Sequence, residues 1–194
     1  MIVIVDYGMG NLHSVYKALE RLNVEAVISS SQAEIEKADK LILPGVGHFK
    51  KGMENLKSLN LVKILNKKVL EEKTPILGIC LGIQLFTKHS EEGDVSGLGW
   101  IDAETIKFSN SKLKIPHMGW NSIKIKKQNS IFSGINQDEQ FYFVHSYYVV
   151  PKNRELISST ASYGKEFVSS IRKDNIYGVQ FHPEKSHSAG LALL

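Results

Sequence analysis

The segment "TPILGICLGIQLF", residues 74 to 86, sets the one cysteine of the chain between two glycines. Residues 75 to 79 form a short apolar run typical of a buried strand, and the segment "LGIQLFTKH" after Cys80 can form a helix. A sharp strand-to-helix turn with small residues two positions before and after its centre exposes the central side chain, as in a nucleophile elbow. Taken alone, a free cysteine among Leu and Ile is more often a buried hydrophobe. The thiol therefore needs support from elsewhere in the chain before it counts as a nucleophile.

The residues upstream of this segment alternate between strand and helix patterns. "IVIVD" predicts a first strand, and apolar residues follow at helical spacing from residue 12 to 22. "VEAVIS" predicts a second strand, "SQAEIEKAD" a helix that Ser31 caps, and "LILPGVG" a third strand that ends in a tight turn. Helical segments are expected from about residue 53 to 72, before the strand "PILGI". This alternation predicts an α/β fold with a central, mostly parallel sheet flanked by helices on both faces.

The second half of the chain has a different pattern. Strand-like runs such as "QFYFVHSYYVV", "FVSSIRKDN" and "IYGVQF" are separated by Gly, Asn, Lys and Asp. They predict additional antiparallel strands in the C-terminal half. No low-complexity linker and no internal repeat divides the sequence, so residues 1–194 are expected to form a single domain.

Composition favours a cytoplasmic protein that binds neither nucleic acid nor membrane. The 194 residues carry a formal charge of +4, but lysines and acids are interleaved, and the run "KIKK" at 124 to 127 indicates a solvated strand face. One cysteine allows no internal disulfide, and no apolar stretch reaches the roughly 18 residues that span a bilayer. The start "MIVIVDYG" indicates a strand rather than a signal peptide.

The C-terminal "GVQFHPEKS" offers a base for the thiol. His182 and Glu184 are two residues apart, and on an extended segment they would point the same way. Pro183 favours that backbone at His182. Glu184 could then fix the tautomer of the imidazole while His182 faces Cys80, which gives a nucleophile, a base and an orienting carboxylate. The alternative is an unrelated surface pair.

The third element is the turn "PGVG", which follows the strand "LIL". Two glycines, Gly45 and Gly47, let the backbone turn its N–H groups toward a ligand, as an oxyanion hole requires. The N–H of Leu81 would contribute as well. On spacing alone, an ordinary turn at a strand end is an equally good interpretation.

Together these motifs resemble the class I, triad-type glutamine amidotransferases. "VDYGMGNL", "LPGVGHF", "SEEGDVSGLGW", "PHMGWN" and "FVHSY" narrow the resemblance to the glutaminase subunits of imidazole glycerol phosphate synthase, and the motifs extend over nearly the whole chain. The resemblance implies hydrolysis of glutamine to glutamate and ammonia, without a cofactor. The ammonia would pass to a partner cyclase, a (β/α)8 barrel, in a heterodimer of histidine biosynthesis.

The resemblance also implies a role for individual residues. The catalytic triad would be Cys80, which forms a glutamyl thioester, His182 as general acid and base, and Glu184. The oxyanion hole would be formed by Gly45, Val46 and Leu81, and glutamine would be held by Gln84, Ser146 and Tyr147. The residues facing the cyclase would be Asn11, Met118, Trp120, Asn121 and Lys185.

Several alternatives stay open at this point. The same glutaminase chemistry could supply ammonia to a paralogous synthase that modifies surface sugars. Less favoured are a non-catalytic scaffold, which would be expected to lose the triad, and a cysteine peptidase on the same fold. The other histidines show no metal-ligand spacing, so no metal site is predicted.

Overall fold

A computed structural model describes residues 1–109 and 113–194, and the elements named below are those of these two ranges. The strands are β1 Ile2–Val5, β2 Ala26–Ser29, β3 Lys40–Gly45, β4 Ile76–Cys80, β5 His89–Ser90, β6 Val95–Ser96, β7 Ala103–Lys107, β8 His117–Ser122, β9 Lys124–Ile125, β10 Gln140–His145, β11 Tyr147–Pro151, β12 Ile157–Ser162, β13 Glu166–Lys173 and β14 Ile176–Val179. The α-helices are α1 Leu12–Arg21, α2 Gln32–Lys37, α3 Phe49–Ser58, α4 Leu61–Asn66, α5 Leu81–Leu85 and α6 His187–Leu193. A π-helical turn, Lys67–Glu71, extends α4, and short 3-10 helices occupy Ser130–Phe132, Arg154–Leu156 and Pro183–Lys185.

The main sheet confirms the predicted α/β fold. Its strand order is β2-β1-β3-β4-β14-β13-β12-β9. The first five of these strands are parallel, and the pairs from β14 to β9 are antiparallel. Because β14 lies beside β4, the last strand of the C-terminal half completes the sheet begun by the N-terminal half.

Two smaller sheets contain the other strands of the second half. β8 and β10 form an antiparallel ribbon, and β11, β7, β5 and β6 form the second small sheet. The predicted antiparallel strands of the C-terminal half are therefore present. The edge strand β9 holds Lys124 in solvent, as the interpretation of "KIKK" as a solvated face requires.

Each face of the main sheet has its own apolar core. Along β1, Val3 and Val5 point into a core that α2, α3, α4 and α5 cover, whereas Ile4 points into one that α1, α6 and the β8–β10 ribbon cover. This alternation follows from the two-residue period of a strand. Parallel strands buried on both faces need continuous apolar runs, which explains the sequences of β1, β3 and β4.

Helix lengths depart from the prediction in two places. The helix after the cysteine is short, since α5 ends at Leu85 and strand β5 begins at His89. The helical stretch expected from residue 53 to 72 is divided at Asn60, whose φ of +55° cannot continue a right-handed helix. No helix in the described ranges is long and apolar enough to cross a membrane.

Candidate active site

Cys80 lies at a strained turn between β4 and α5. Its φ of +54° and ψ of −104° are unusual for a residue with a side chain. The flanking glycines are required by packing: a Cβ on Gly82 would lie 1.8 Å from the carbonyl oxygen of Leu43, and one on Gly78 would lie 2.6 Å from the ring of Phe86. The strand, the turn and the two glycines form the elbow that the sequence predicts.

The thiol is held by two polar neighbours. Cys80 is 5% exposed, and its Sγ lies 3.7 Å from the carbonyl oxygen of Val144. The side-chain amide of Gln180 donates to Sγ at 3.8 Å. Gln84 in turn donates to the side-chain oxygen of Gln180 at 3.1 Å and to the carbonyl oxygen of Tyr147 at 3.0 Å. The sulfur is therefore in a polar setting rather than in an all-apolar core.

His182 and Glu184 form a buried pair near this thiol. The Nδ1 of His182 lies 2.8 Å from Oε1 of Glu184, and the two side chains are 1% and 3% exposed. The N–H of His182 donates to the carbonyl oxygen of Tyr142 at 2.8 Å, and Ser186 Oγ donates to the carbonyl oxygen of His182 at 2.6 Å. These contacts fix the ring and exclude the alternative of a surface pair.

The backbone brings the pair together in a way that differs from the prediction. His182 is extended, with a ψ of 93°, but Pro183–Lys185 form a 3-10 helix instead of continuing the strand. Proline at the first helical position is favoured because its missing N–H needs no partner there. The expectation of an extended segment from His182 to Glu184 is therefore wrong, and a turn provides the contact.

The neighbours of His182 raise the pKa of its imidazole. Burial lowers the pKa of His182, but the negative charge of Cys80, together with the hydrogen bond and charge of Glu184, outweighs this and raises it to about 10. Within the described ranges, Nε2 of His182 and Oε2 of Glu184 have no hydrogen-bond partner. The ring thus has one nitrogen fixed by Glu184 and the other free for proton transfer.

Sheet register places the glycine turn beside the cysteine. Gly45 at the end of β3 pairs with Cys80 at the end of β4, so both lie at the carboxyl edge of the parallel strands, where ligands bind in open α/β sheets. Gly47 has a φ of +103°, and Val46 between the two glycines is 39% exposed. The turn therefore presents backbone near the sulfur.

A cavity of about 230 Å³ opens over the sulfur. Its lining includes all three residues predicted to hold glutamine, Gln84, Ser146 and Tyr147, together with Val46 and Leu81 from the predicted oxyanion hole. A carboxylate, Glu92, also lines it, and Glu92 Oε2 accepts a hydrogen bond from the N–H of Phe49 at 2.7 Å. The remaining lining residues are Gly47, Cys80, Pro116, Val144 and His145.

A hydrogen-bonded chain runs from this cavity to the β8–β10 ribbon. His145 Nδ1 lies 2.8 Å from the carbonyl oxygen of Tyr147 and must donate to it, so its Nε2 accepts from His117 Nδ1 at 3.0 Å. Asn121 then donates to His117 Nε2 at 3.2 Å. Burial lowers the pKa of His145 to about 3 and that of His117 to about 4, so both rings are neutral. The chain links Asn121 to the wall of the cavity through fixed tautomers.

Of the residues predicted to face a partner, three lie on β8 of the ribbon and two on other elements. Met118 and Trp120 on β8 are 62% and 45% exposed, and Trp120 stacks on His187 with ring centroids 4.9 Å apart. Asn11, also exposed, caps α1, and Lys185 is exposed on the 3-10 helix that carries Glu184. Asn121 is half-buried and donates to the carbonyl oxygen of Ser162 at 2.8 Å.

Three residues near the site were missed by sequence reasoning. Gln180 precedes His182 by two positions in the same motif, so strand alternation was a usable signal for it. Glu92 lies in the motif "SEEGDVSGLGW", which contains several carboxylates. Without the fold, the sequence does not indicate which of them reaches the site. Tyr7 lies in the motif "VDYGMGNL", but nothing in that motif indicates that its hydroxyl packs against Gly45. No group of His, Cys, Asp or Glu in the described part of the chain could hold a metal ion.

Comparisons with known proteins show the family to which the chain belongs. The family model "Glutamine amidotransferase class-I" matches residues 3–193. Imidazole glycerol phosphate synthase subunit HisH 2 of Methanococcus maripaludis is 53% identical, with 100% of this chain and 96% of the relative covered. Subunit HisH 1 of Campylobacter jejuni is 52% identical, with 100% and 97% covered.

Solved structures show the same fold. The structure of PurLQS from Thermotoga maritima superposes with a TM-score of 0.71 at 18% identity, with 99% of this chain and 94% of that chain covered. The glutaminase domain of a Trypanosoma brucei CTPS gives 0.69 at 18% identity, with 99% and 91% covered. With the family match and the full-length relatives, the chain belongs to the class-I glutamine amidotransferases and, among them, to the family of HisH subunits of imidazole glycerol phosphate synthase.

Proposed function

We propose that this chain is the glutaminase subunit of an imidazole glycerol phosphate synthase and serves histidine biosynthesis. It would hydrolyse glutamine to glutamate and pass the ammonia to a cyclase subunit with a (β/α)8 barrel. The observation that carries the proposal is the constellation at the elbow: a strained Cys80 below a small cavity, beside a histidine fixed by a buried carboxylate. The names of the full-length relatives support the choice of substrate and pathway.

The triad would act in two steps. The thiolate of Cys80 attacks the carbon of the side-chain amide, and the C–N bond then breaks as His182 Nε2 gives its proton to the leaving ammonia. The products of this step are a glutamyl thioester and ammonia. Water next attacks the thioester while His182 takes its proton, and the C–S bond breaks to give glutamate and the thiolate. A pKa of about 10 keeps His182 protonated beside the thiolate before the first step.

The oxyanion formed in each attack needs donors at the carboxyl edge of the sheet. We assign this role to the backbone of Gly45 and Val46 and to the N–H of Leu81. Losing one such donor costs about 3 to 4 kcal/mol in activation free energy. Support comes from the register of Gly45 beside Cys80 and from the position of Val46 and Leu81 in the cavity wall.

The cavity suits a single amino acid. At about 230 Å³ it is smaller than the sites of about 300 Å³ or more that hold drug-sized ligands. We assign the α-ammonium group of glutamine to the carboxylate of Glu92. Gln84, Ser146 and Tyr147 would hold the rest of the molecule by hydrogen bonds.

The ribbon surface would receive the cyclase. Exposed Met and Trp side chains are enriched at protein interfaces, and Met118 and Trp120 lie side by side on one exposed face of β8. Asn11, Asn121 and Lys185 would complete this surface. We further propose that residues 1–194 form one domain, which the shared main sheet supports, and that the chain works in the cytoplasm, where a reduced thiol persists.

The experiment that tests the proposal uses the chain mixed with the cyclase of its own genome. Release of glutamate and formation of imidazole glycerol phosphate are measured with glutamine and the phosphorylated ribulosyl aminoimidazole carboxamide intermediate. Cys80→Ala should abolish glutamate release, whereas cyclisation with added ammonia should persist. Glutamate release that survives the substitution would remove Cys80 from the mechanism. The isolated chain is expected to hydrolyse glutamine far more slowly than the liganded complex, because the glycine turn can rearrange when the partner binds.

A second acceptor for the ammonia is favoured by one observation. The same strain of Methanococcus maripaludis has two relatives of this chain, HisH 2 at 53% and HisH 1 at 47% identity, so members of the family are duplicated within one genome. A duplicate can serve another synthase, such as one that modifies surface sugars. Glutamine-dependent cyclisation in the assay above supports the histidine pathway, and glutamate release without cyclisation supports the second acceptor.

A further inference from the structure

Tyr7 carries a buried hydroxyl that has no hydrogen-bond partner within the described ranges. The residue follows β1 and is fully buried. Its own carbonyl oxygen accepts from the side chain of Asn55 at 3.0 Å, which ties this turn to α3. Buried hydroxyls without a partner are rare because they lose their hydrogen bonds to water. The group therefore calls for a reason other than folding.

The hydroxyl lies directly against the oxyanion turn. A Cβ built on Gly45 would lie 2.1 Å from Tyr7 Oη and 2.9 Å from Cβ of Leu81. Burial, together with the negative charge of the nearby Cys80, raises the pKa of Tyr7. The phenol thus stays protonated and remains a donor while the thiolate is present.

The peptide between Gly45 and Val46 needs such a donor. In a trans peptide the N–H and the C=O point in opposite directions. When the N–H of Val46 points into the cavity toward an oxyanion, the carbonyl of Gly45 points away from the cavity. Tyr7 is absent from the cavity lining and touches Gly45 from the interior. A Gly45 carbonyl that points into the interior without a hydrogen-bond donor would be destabilising. The unpartnered hydroxyl of Tyr7 is in a position to be that donor.

We propose that Tyr7 is a positioning residue for the oxyanion hole, whose hydroxyl donates to the Gly45 carbonyl when the Val46 N–H faces the reacting carbonyl group. The inference rests on the proposed glutaminase function. The hydrogen bond forms only in the turn conformation that stabilises the transition state, so it favours turnover rather than the binding of glutamine. Removing it should lower kcat and leave KM nearly unchanged.

The test is Tyr7→Phe in the complete complex with the cyclase and its ligand. We expect kcat for glutamine hydrolysis to fall about 10-fold or more, which is the effect of about 1.4 kcal/mol, while KM changes less than about 2-fold. The melting temperature should stay the same or rise, because the substitution removes only an unpartnered hydroxyl. Alkylation of Cys80 by iodoacetamide should keep its rate. Tyr177→Phe, which removes a hydroxyl near the N-terminal end of β14, away from the carboxyl edge of the sheet, is the control and should leave kcat unchanged.

The outcomes separate this inference from the proposed function. If the Cys80→Ala complex still releases glutamate, the proposed function fails. If Cys80→Ala is inactive and Tyr7→Phe has the kcat of the unsubstituted complex, only the role of Tyr7 fails. A Tyr7→Phe variant with a lower melting temperature and slower alkylation of Cys80 would show a structural residue and would also overturn the inference.

Discussion

Substitution of Glu184 by Gln tests whether the buried carboxylate sets both the charge and the tautomer of His182. The two side chains are almost fully buried and joined at 2.8 Å. A carboxylate in hydrogen-bond contact raises the pKa of a buried imidazole by about 1 to 3 pH units, and each unit corresponds to about 1.4 kcal/mol. The glutamine variant should therefore have an imidazole that titrates between about pH 7 and 9 instead of near 10.

The assay is kcat/KM for glutamine hydrolysis by the complex between pH 6 and 10. At low pH the variant loses only the orientation of the ring, and loss of the correct tautomer in triads of this kind costs up to about 10⁴-fold. As pH rises, the variant alone loses the proton needed by the leaving ammonia. The ratio of unsubstituted to variant kcat/KM should therefore grow between pH 6.5 and 9, by about 2-fold if the variant imidazole has a pKa of about 9 and by about 70-fold if it has a pKa of about 7.

The free energy of unfolding should also depend on pH through His182. A raised folded-state pKa of His182 stabilises the fold fully below the unfolded value of about 6.5, and this contribution is lost as pH rises toward 10. In the variant the loss should begin at lower pH, which urea unfolding at several pH values can measure. Glu155→Gln, in an exposed pair with Lys127, is the control. A variant profile parallel to the unsubstituted one would refute an electrostatic role for Glu184.

Three further predictions concern the elbow, the thiol and the ribbon. Gly82→Ala should lower the free energy of unfolding by about 3 kcal/mol or more in urea titrations, because its methyl group would meet the carbonyl of Leu43 at 1.8 Å; an unchanged midpoint would contradict this packing. Gln180→Leu removes a donor to Sγ and should lower kcat about 10-fold; an unaltered kcat would show that the contact is incidental. Trp120→Ala should weaken cyclase binding by about 2 kcal/mol in calorimetry while leaving stability within about 0.5 kcal/mol, and equal affinities would place the interface elsewhere.

The fold was predictable because its signals are local. Parallel strands buried on both faces require continuous apolar runs, and β1, β3 and β4 show them in the sequence. Helix ends were less predictable. The break at Asn60 and the early end of α5 depend on tertiary contacts that override the apolar spacing.

The candidate site was predictable only where chemistry and backbone shape coincide in a short motif. The elbow needs its glycines next to Cys80, and Pro183 lies between His182 and Glu184, so each of these groups leaves a compact pattern. Tyr7 reaches the site from the N-terminal segment, 73 positions before Cys80, and Glu92 from a loop 12 positions after it. Their positions follow from how β1 and the loop before β6 pack around the carboxyl edge of the sheet, which periodicity does not encode.

The two sides of the cavity differ in how many hydrogen bonds hold them in place, and this difference bears on how hydrolysis can be regulated. On the nucleophile side, Gln84, Gln180 and His145 form a buried, hydrogen-bonded network around Cys80 and Tyr147, and changing it would break several bonds at once. On the opposite side, the turn at Val46 is exposed and the hydroxyl beneath it is unpartnered within the described ranges. Rotation of one peptide there would give the Gly45 carbonyl the donor that we propose, the hydroxyl of Tyr7. A partner that regulates hydrolysis would therefore act most readily through the oxyanion turn, with the thiol and its base already in place.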